Sequence, residues 1–222
     1  KKGTEKATHK SFLNRGYVSF GVNDWQASQT LMNDSAFKQF LKANDFEEDR
    51  AFPIDRVVEL IDSSKSYRDK TLWAALAATG GRISEVLQIL WQDVNISERQ
   101  IKLINPNKRL TSGAYNGLTP DEVSLLSWKG RESSQTMLIA PFADLFFQYL
   151  ELYVKHEHIH HGTHEFIFQI ISPKRLGKPL FTADYSSIFE NFKRALSRTS
   201  VIDQLSLSPH SLRDRKSTRL NS

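Results

Sequence analysis

The sequence contains no cysteine among its 222 residues. That absence excludes disulfide staples, thiolate metal sites, iron–sulfur clusters and cysteine nucleophiles together, leaving the fold to packing and hydrogen bonds. Long apolar runs are missing too. None approaches the roughly 20 residues that span a bilayer, and Lys1-Lys2-Gly3-Thr4-Glu5-Lys6 has none of the apolar core of a secretory signal. Membrane insertion and secretion are disfavoured, and a cytoplasmic setting is expected. Internal repeats and long low-complexity tracts are also absent. What is present suits a globular protein: 39% hydrophobic and 25% charged residues are enough apolar surface for a core and too little charge for disorder.

Basic residues outnumber acidic ones by 30 to 25, a net charge of +5, which hints weakly at a polyanionic partner. The last nine residues, Asp214-Arg215-Lys216-Ser217-Thr218-Arg219-Leu220-Asn221-Ser222, resemble at every position the in-frame translation of a sequencing-library adapter. Residues 214–222 are therefore expected to be a non-native tail and stay outside the fold reading. Without them 27 basic and 24 acidic side chains remain, net +3. Bulk charge then says little, and polyanion binding has to rest on particular positions.

The first fifty residues combine scattered aromatics with Gly3, Gly16 and Gly21 and a weak helical pattern at Ser35–Leu41, which reads as loops with short structured pieces. A boundary is expected near Ala51. From there Val57, Val58, Leu60 and Ile61 predict one helix, and Leu72, Trp73, Leu76 and Ala77 predict a second over Tyr67–Ala78 that Gly80-Gly81 ends. A third begins at Arg82 with Ile83, Val86, Leu87 and Leu90. Gln100–Ile104 and Thr136–Ala140 read as short strands, with a capped helix at Thr119-Pro120-Asp121-Glu122 and a tight turn at Trp128-Lys129-Gly130-Arg131 between them. Ala143–Val154 is an amphipathic helix, Phe166–Ile171 a short apolar run, and Thr182–Leu196 a last helix with Ile188, Phe189, Phe192 and Leu196 inward. The expected fold is mainly α with a small antiparallel β-sheet.

Three separated pieces carry the chemistry: Thr79-Gly80-Gly81-Arg82-Ile83-Ser84-Glu85-Val86-Leu87, then Trp128-Lys129-Gly130-Arg131, then Pro209-His210-Ser211-Leu212-Arg213. In this order and spacing they resemble the tyrosine recombinase, or phage integrase, family from about Phe52 to Arg213. The resemblance implies a catalytic domain over residues 51–213, incomplete at its C-terminus, after a linker or remnant of a DNA-clamping domain in residues 1–50. It also implies site-specific cleavage and rejoining of double-stranded DNA, no cofactor, no metal, and a homotetramer on DNA for the parent protein. Pro106–Ser127 is then an insertion relative to compact members.

The residue types fit that chemistry. Attack at a phosphodiester builds negative charge on a pentacoordinate phosphorus, and two fixed guanidinium groups would stabilise it. By resemblance Arg82 and Arg213 are these clamps, and Lys129 protonates the departing 5′-hydroxyl. His210, one turn before Arg213, can serve as acid, base or donor, and Glu85 has a supporting role beside Arg82. Lys108, which also follows a candidate strand, is the other lysine that could take the hairpin position.

The family's nucleophile is a tyrosine downstream of the His-x-x-Arg motif. All six tyrosines here, Tyr17, Tyr67, Tyr115, Tyr149, Tyr153 and Tyr185, lie upstream of it, so no nucleophile is assigned. The expectation is an inactive 222-residue chain from an active parent. Two other readings stand beside this one. A regulator that kept the fold and binds DNA without catalysis would use the same arginines for phosphate affinity alone. His156/His160 and His160/His164 have the i, i+4 spacing of helical metal ligands, although a solvated helix end is the ordinary reading.

Overall fold

The computed structural model describes residues 51–131, 133–160, 162–201, 204 and 206–213. The expected helix at Ser35–Leu41 and the tail at 214–222 lie outside them. Helix α1 (Val57–Ser63) turns Val57, Leu60 and Ile61 inward. It stops at Ser64, whose hydroxyl accepts from Trp73 Nε1 at 3.1 Å. Helix α2 (Tyr67–Thr79) follows and forms the centre of the molecule, buried from Thr71 to Thr79 without interruption. The sequence pattern predicts one apolar face for it; the structure surrounds it, which is why its outer positions are Ala and Thr rather than charged residues.

The N-terminus of α2 is satisfied twice. Ser66 Oγ accepts from the Asp69 N–H at 3.1 Å, and Glu157, far along the chain, accepts the Tyr67 and Arg68 N–H groups at 2.9 Å each. A carboxylate at that end also opposes the helix dipole. At the other end Gly80 takes the left-handed conformation, φ 56°, and its N–H bonds to Leu76 O at 3.0 Å, the glycine-specific helix stop. Helix α3 (Ile83–Leu87) starts three residues later.

The sheet is smaller than the sequence predicts. Strands β1 (Val94–Asn95) and β2 (Gln100–Ile101) pair antiparallel, Val94 opposite Ile101, and the expected strand at Thr136–Ala140 does not form. That segment makes one bridge, Gln135 to Lys102, and then leaves the sheet because the Ile139 N–H bonds to Ala78 O at the end of α2. The turn holding Lys129 is consequently not the tip of a two-stranded hairpin.

Between them, Pro106–Ser127 forms a folded unit. It contains α4 (Pro120–Ser124), started by a reciprocal Thr119–Glu122 capping box, and a small core in which Tyr115 stacks on Phe166 beside Leu90. Buried Asp93 holds it down, accepting two hydrogen bonds from Arg109 and one from the Leu90 N–H. Helix α5 (Phe142–His156) packs along α2. Helix α6 (Tyr185–Leu196) starts three residues later than its pattern predicts, because Thr182 is held in a 3₁₀ turn by Arg175 and Pro179. Its Phe192 meets Phe52 and Trp73 edge to face; Phe189 is only half-buried. Among the described residues no helix is long and apolar enough to cross a membrane.

Two measurements test this packing. A Cβ on Gly117 would lie 1.6 Å from the Thr163 carbonyl oxygen, so Gly117→Ala must part the 106–127 unit from the loop that holds Thr163. Chemical denaturation should show a loss of about 1–3 kcal/mol, against about 1 kcal/mol for Gly162→Ala, where the space is open and only the positive φ is strained. Tyr149 of α5 donates to Asp62, and burial together with that bond raises its phenol to about 12. The fold thus prefers the neutral phenol, so stability contributed by this group is intact below the ordinary tyrosine value near 10. It should fall as pH rises from there to about 12, and Tyr149→Phe should flatten that fall in thermal unfolding at alkaline pH.

Candidate active site

The stretch Thr79-Gly80-Gly81-Arg82 places one guanidinium with little freedom. Gly80 ends α2, and the Gly81 N–H bonds to Thr79 Oγ1 at 3.0 Å. Gly81 itself lies against the Leu103 side chain, 2.8 Å from where a Cβ would stand. Arg82 then sits at the N-cap of α3, and Glu85, three residues on, closes the helix start by accepting from the Arg82 N–H at 3.0 Å. The same carboxylate accepts from Arg82 Nη1 at 3.0 Å and pairs with Arg131 Nε at 3.5 Å. Its side chain is 0% exposed, while those of Arg82 and Arg131 are 27% and 24% exposed. A carboxylate taken out of water is costly unless such partners surround it.

Arg82 Nη1 also donates to the Lys129 carbonyl at 3.0 Å. Among the described residues its Nε and Nη2 make no hydrogen bond, so an oriented, partly open fork of donors remains. Lys129 is exposed and its ammonium forms no ion pair among the described residues. Lys108, the other lysine considered, is exposed in the 3₁₀ turn Pro106–Arg109, whose neighbour Arg109 is committed to Asp93. The structure brings the Lys129 backbone, and not Lys108, to Arg82.

The third motif stands on the last described turn, residues 211–213. Ser211 and Leu212 are buried, the Ser211 carbonyl accepts from the Phe52 N–H at 3.1 Å, and Ser211 Oγ accepts from the Ser208 N–H at 3.1 Å. With these two turned inward, His210 stays exposed and Arg213 half-buried. The His210 ring stacks on Tyr185 at the start of α6, centroids 6.0 Å apart. Arg82, Glu85 and the Lys129 turn thus form one group and His210 with Arg213 another. Among the described residues neither Arg213 nor His210 bonds to Arg82.

Arg131 was not singled out by sequence reasoning as a site residue. Its only signal is its place two residues after Lys129. The histidine segment changes more. Helix α5 ends at His156 with Glu157 as its C-cap, so His160 and His164 are not on a helix and the i, i+4 metal spacing loses its meaning. His158 instead packs edge to face with Trp91 and Tyr153, and His164 accepts from the Phe166 N–H. His161 lies outside the described residues; among those described, no group of three or more His, Asp or Glu converges as metal ligands.

A cavity of about 810 Å³ lies between the β-hairpin and α5, lined by Trp91, Ile96, Arg99 and Phe147 among others. It contains none of the candidate residues; of these Lys129 and His210 are exposed, Arg82 and Arg213 partly exposed, and Glu85 buried beneath Arg82. Glu85→Gln keeps an acceptor for the Arg82 N–H but removes the charge shared by two guanidinium groups. It should cost about 1–3 kcal/mol in urea denaturation, and part of that cost should vanish when Arg131→Gln is already present, the Arg82 pair remaining.

Against known proteins, no curated sequence matches this chain. Among solved structures, one described as the crystal structure of XerA recombinase is similar at 17% identity and a TM-score of 0.49, over 77% of this chain and 48% of that one. This chain thus spans about half the length of that protein. A family model described as "Phage integrase family" matches residues 50–222, which is most of the sequence and includes the Arg82, Lys129 and His210–Arg213 motifs: the chain belongs to the phage integrase family.

Proposed function

We propose that this chain carries the phosphate-activating half of a site-specific DNA recombinase active site. Arg82 and Arg213 bind the non-bridging oxygens of the scissile phosphate, Lys129 protonates the 5′-oxygen as it leaves, and His210 exchanges a proton or hydrogen bond with the same phosphate. Glu85 supports Arg82. In the parent protein a tyrosine attacks phosphorus: its phenol oxygen forms the P–O bond as the 5′-oxygen departs with a proton. The resulting 3′-phosphotyrosyl link is then resolved by the reverse step on another strand, within a homotetramer on double-stranded DNA.

The observation that carries this reading is the Arg82 guanidinium. It is fixed through Nη1 by a buried carboxylate and a carbonyl, with its remaining donors uncommitted among the described residues. Pre-aimed donors of that kind stabilise developing charge without reorganising when it appears, and guanidinium offers them in a fork that Lys cannot copy. An open surface also suits a polymeric substrate better than an enclosed pocket does. Net charge contributes little.

In this reading none of the six tyrosines is the nucleophile, because all of them lie upstream of the His-x-x-Arg motif. Tyr153 is buried on α5 and its phenol is pushed far up by desolvation. Tyr115 and Tyr149 are likewise raised, chiefly by burial. Tyr185 stacks on His210, and partial burial raises its phenol too, but it lies upstream of the His-x-x-Arg motif.

The test has two arms. Arg82→Ala and Arg213→Ala should each weaken binding of a DNA duplex roughly tenfold in gel-shift titrations, the loss expected of a charge-assisted phosphate contact. The unaltered chain, incubated with a nicked suicide duplex, should give no covalent protein–DNA complex on denaturing gels. Unchanged affinity in both variants would remove the phosphate-clamp reading. A covalent complex would show that one of the six tyrosines attacks after all, and Tyr185→Phe would be the first variant to examine. A chain that binds through these arginines and whose full-length parent never cleaves would be the non-catalytic regulator.

A further inference from the structure

We infer that Arg131 is a positioning residue that holds the Lys129 turn against the Arg82 helix start, so that the Lys129 ammonium meets DNA beside the phosphate clamp. The inference rests on the site reading above and extends it to a residue that carries no role there. Four contacts argue for it. Arg131 Nε pairs with Glu85 Oε2 at 3.5 Å, and Arg131 Nη2 donates to the Gly80 carbonyl at 3.4 Å. From the other side, Arg82 Nη1 donates to the Lys129 carbonyl at 3.0 Å, and the half-buried Trp128 packs on the main core. Lys129 and Gly130 are the exposed pair between these anchors, and Gly130 turns the chain at φ 78°.

The physical need for the clamp comes from the missing strand. A lysine on a hairpin tip is placed by the ladder on either side of it, but among the described residues the segment after Arg131 pairs beside β2 only at the Lys102–Gln135 bridge before Ile139 bonds to Ala78. Side-chain bonds have to do what backbone pairing does not. Arg131 is suited to this because one planar guanidinium reaches both a carboxylate and a carbonyl, and because the Glu85 oxygen it pairs with, Oε2, is already fixed by the Arg82 N–H. The Gly80 carbonyl belongs to the last residue before the pair Gly81-Arg82, so the turn is tied to the same few atoms that aim Arg82. Lysine and arginine are thereby set by one carboxylate. Arg131→Lys should keep the charge on Glu85 and lose the second bond.

The experiment uses the full chain with Arg131→Gln and Arg131→Lys, each first shown to unfold cooperatively. In the free protein, a lysine-specific protease under native conditions reports on opening of the turn, because cleavage after Lys129 requires local release. The rate at that bond should rise roughly tenfold in Arg131→Gln, the equivalent of losing one charge-assisted bond, and less in Arg131→Lys, with cleavage after the exposed Lys174 unchanged. With a saturating short DNA duplex, acetylation read by mass spectrometry should find Lys129 protected in the unaltered chain, exposed in Arg131→Gln and partly protected in Arg131→Lys. A merely structural role would leave the protection by saturating DNA intact. Unchanged cleavage after Lys129, or equal protection in Arg131→Gln, would overturn the inference. If the duplex leaves Lys129 of the unaltered chain unprotected, the active-site reading fails, while the protease result still decides whether Arg131 holds the turn.

Discussion

The Glu85 carboxylate is the constraint on which the rest of the candidate site depends. It is wholly buried, three residues into a five-residue helix, and its two oxygens receive the Arg82 backbone, the Arg82 side chain and Arg131. An ion of this kind out of water is costly, and its removal from either partner would leave an uncompensated charge. The two guanidinium groups have little choice of position as a result. A helix of five residues has almost no stability of its own, so the same carboxylate that aims the arginine also starts the helix that carries it. Local capping and the geometry of the candidate site are one interaction here.

The other half of the candidate site is fixed by different means. His210 and Arg213 are separated by two buried residues, and the Ser211 carbonyl is bonded to Phe52 at the opposite end of the described chain. Phe52 in turn meets Phe192 of α6, which meets Trp73 of α2. Edge-to-face aromatic contacts of this type combine a large buried area with a preferred angle. Helix α2, buried from Thr71 onward, therefore supports both halves: the glycine that caps its C-terminus leads into Arg82, and its Trp73 supports the helix against which the last turn sits.

The inserted unit between Pro106 and Ser127 shows how a small core and one buried ion pair can secure a loop-rich segment. Asp93 accepts from Arg109 and from the Leu90 N–H together, and Tyr115 stacks on Phe166 directly behind. The segment ends at Ser127, whose carbonyl accepts from Gln88 Nε2 of the residue following α3 at 3.3 Å. The Lys129 turn is thus approached by an anchored chain on one side and clamped by Arg131 on the other. This arrangement compensates for the near absence of sheet.

Much of this was legible in the sequence, for reasons that are local. Periodicity gave the helices at Val57, Tyr67 and Ala143, because burial repeats with the helical turn; Gly80 and the Thr119–Glu122 box marked ends, because backbone conformation and capping are decided within four residues. The Thr-Gly-Gly-Arg stretch, the lysine turn and the His-x-x-Arg motif pointed to the family by themselves. What needed the tertiary structure were the contacts between residues far apart in the chain. The strand expected at Thr136–Ala140 failed because Ala78 offered its carbonyl to Ile139. The histidine spacing lost its helix because α5 ended at His156 and its Glu157 capped α2 instead. Arg131 was invisible for the same reason, since nothing in Trp-Lys-Gly-Arg tells that a buried Glu85 waits 46 residues earlier. The sequence alone determined which residues are chemically able to bind phosphate; only the folded chain decided that Arg82 and the Lys129 turn would share one carboxylate, because long-range ion pairing depends on which surfaces the core brings together.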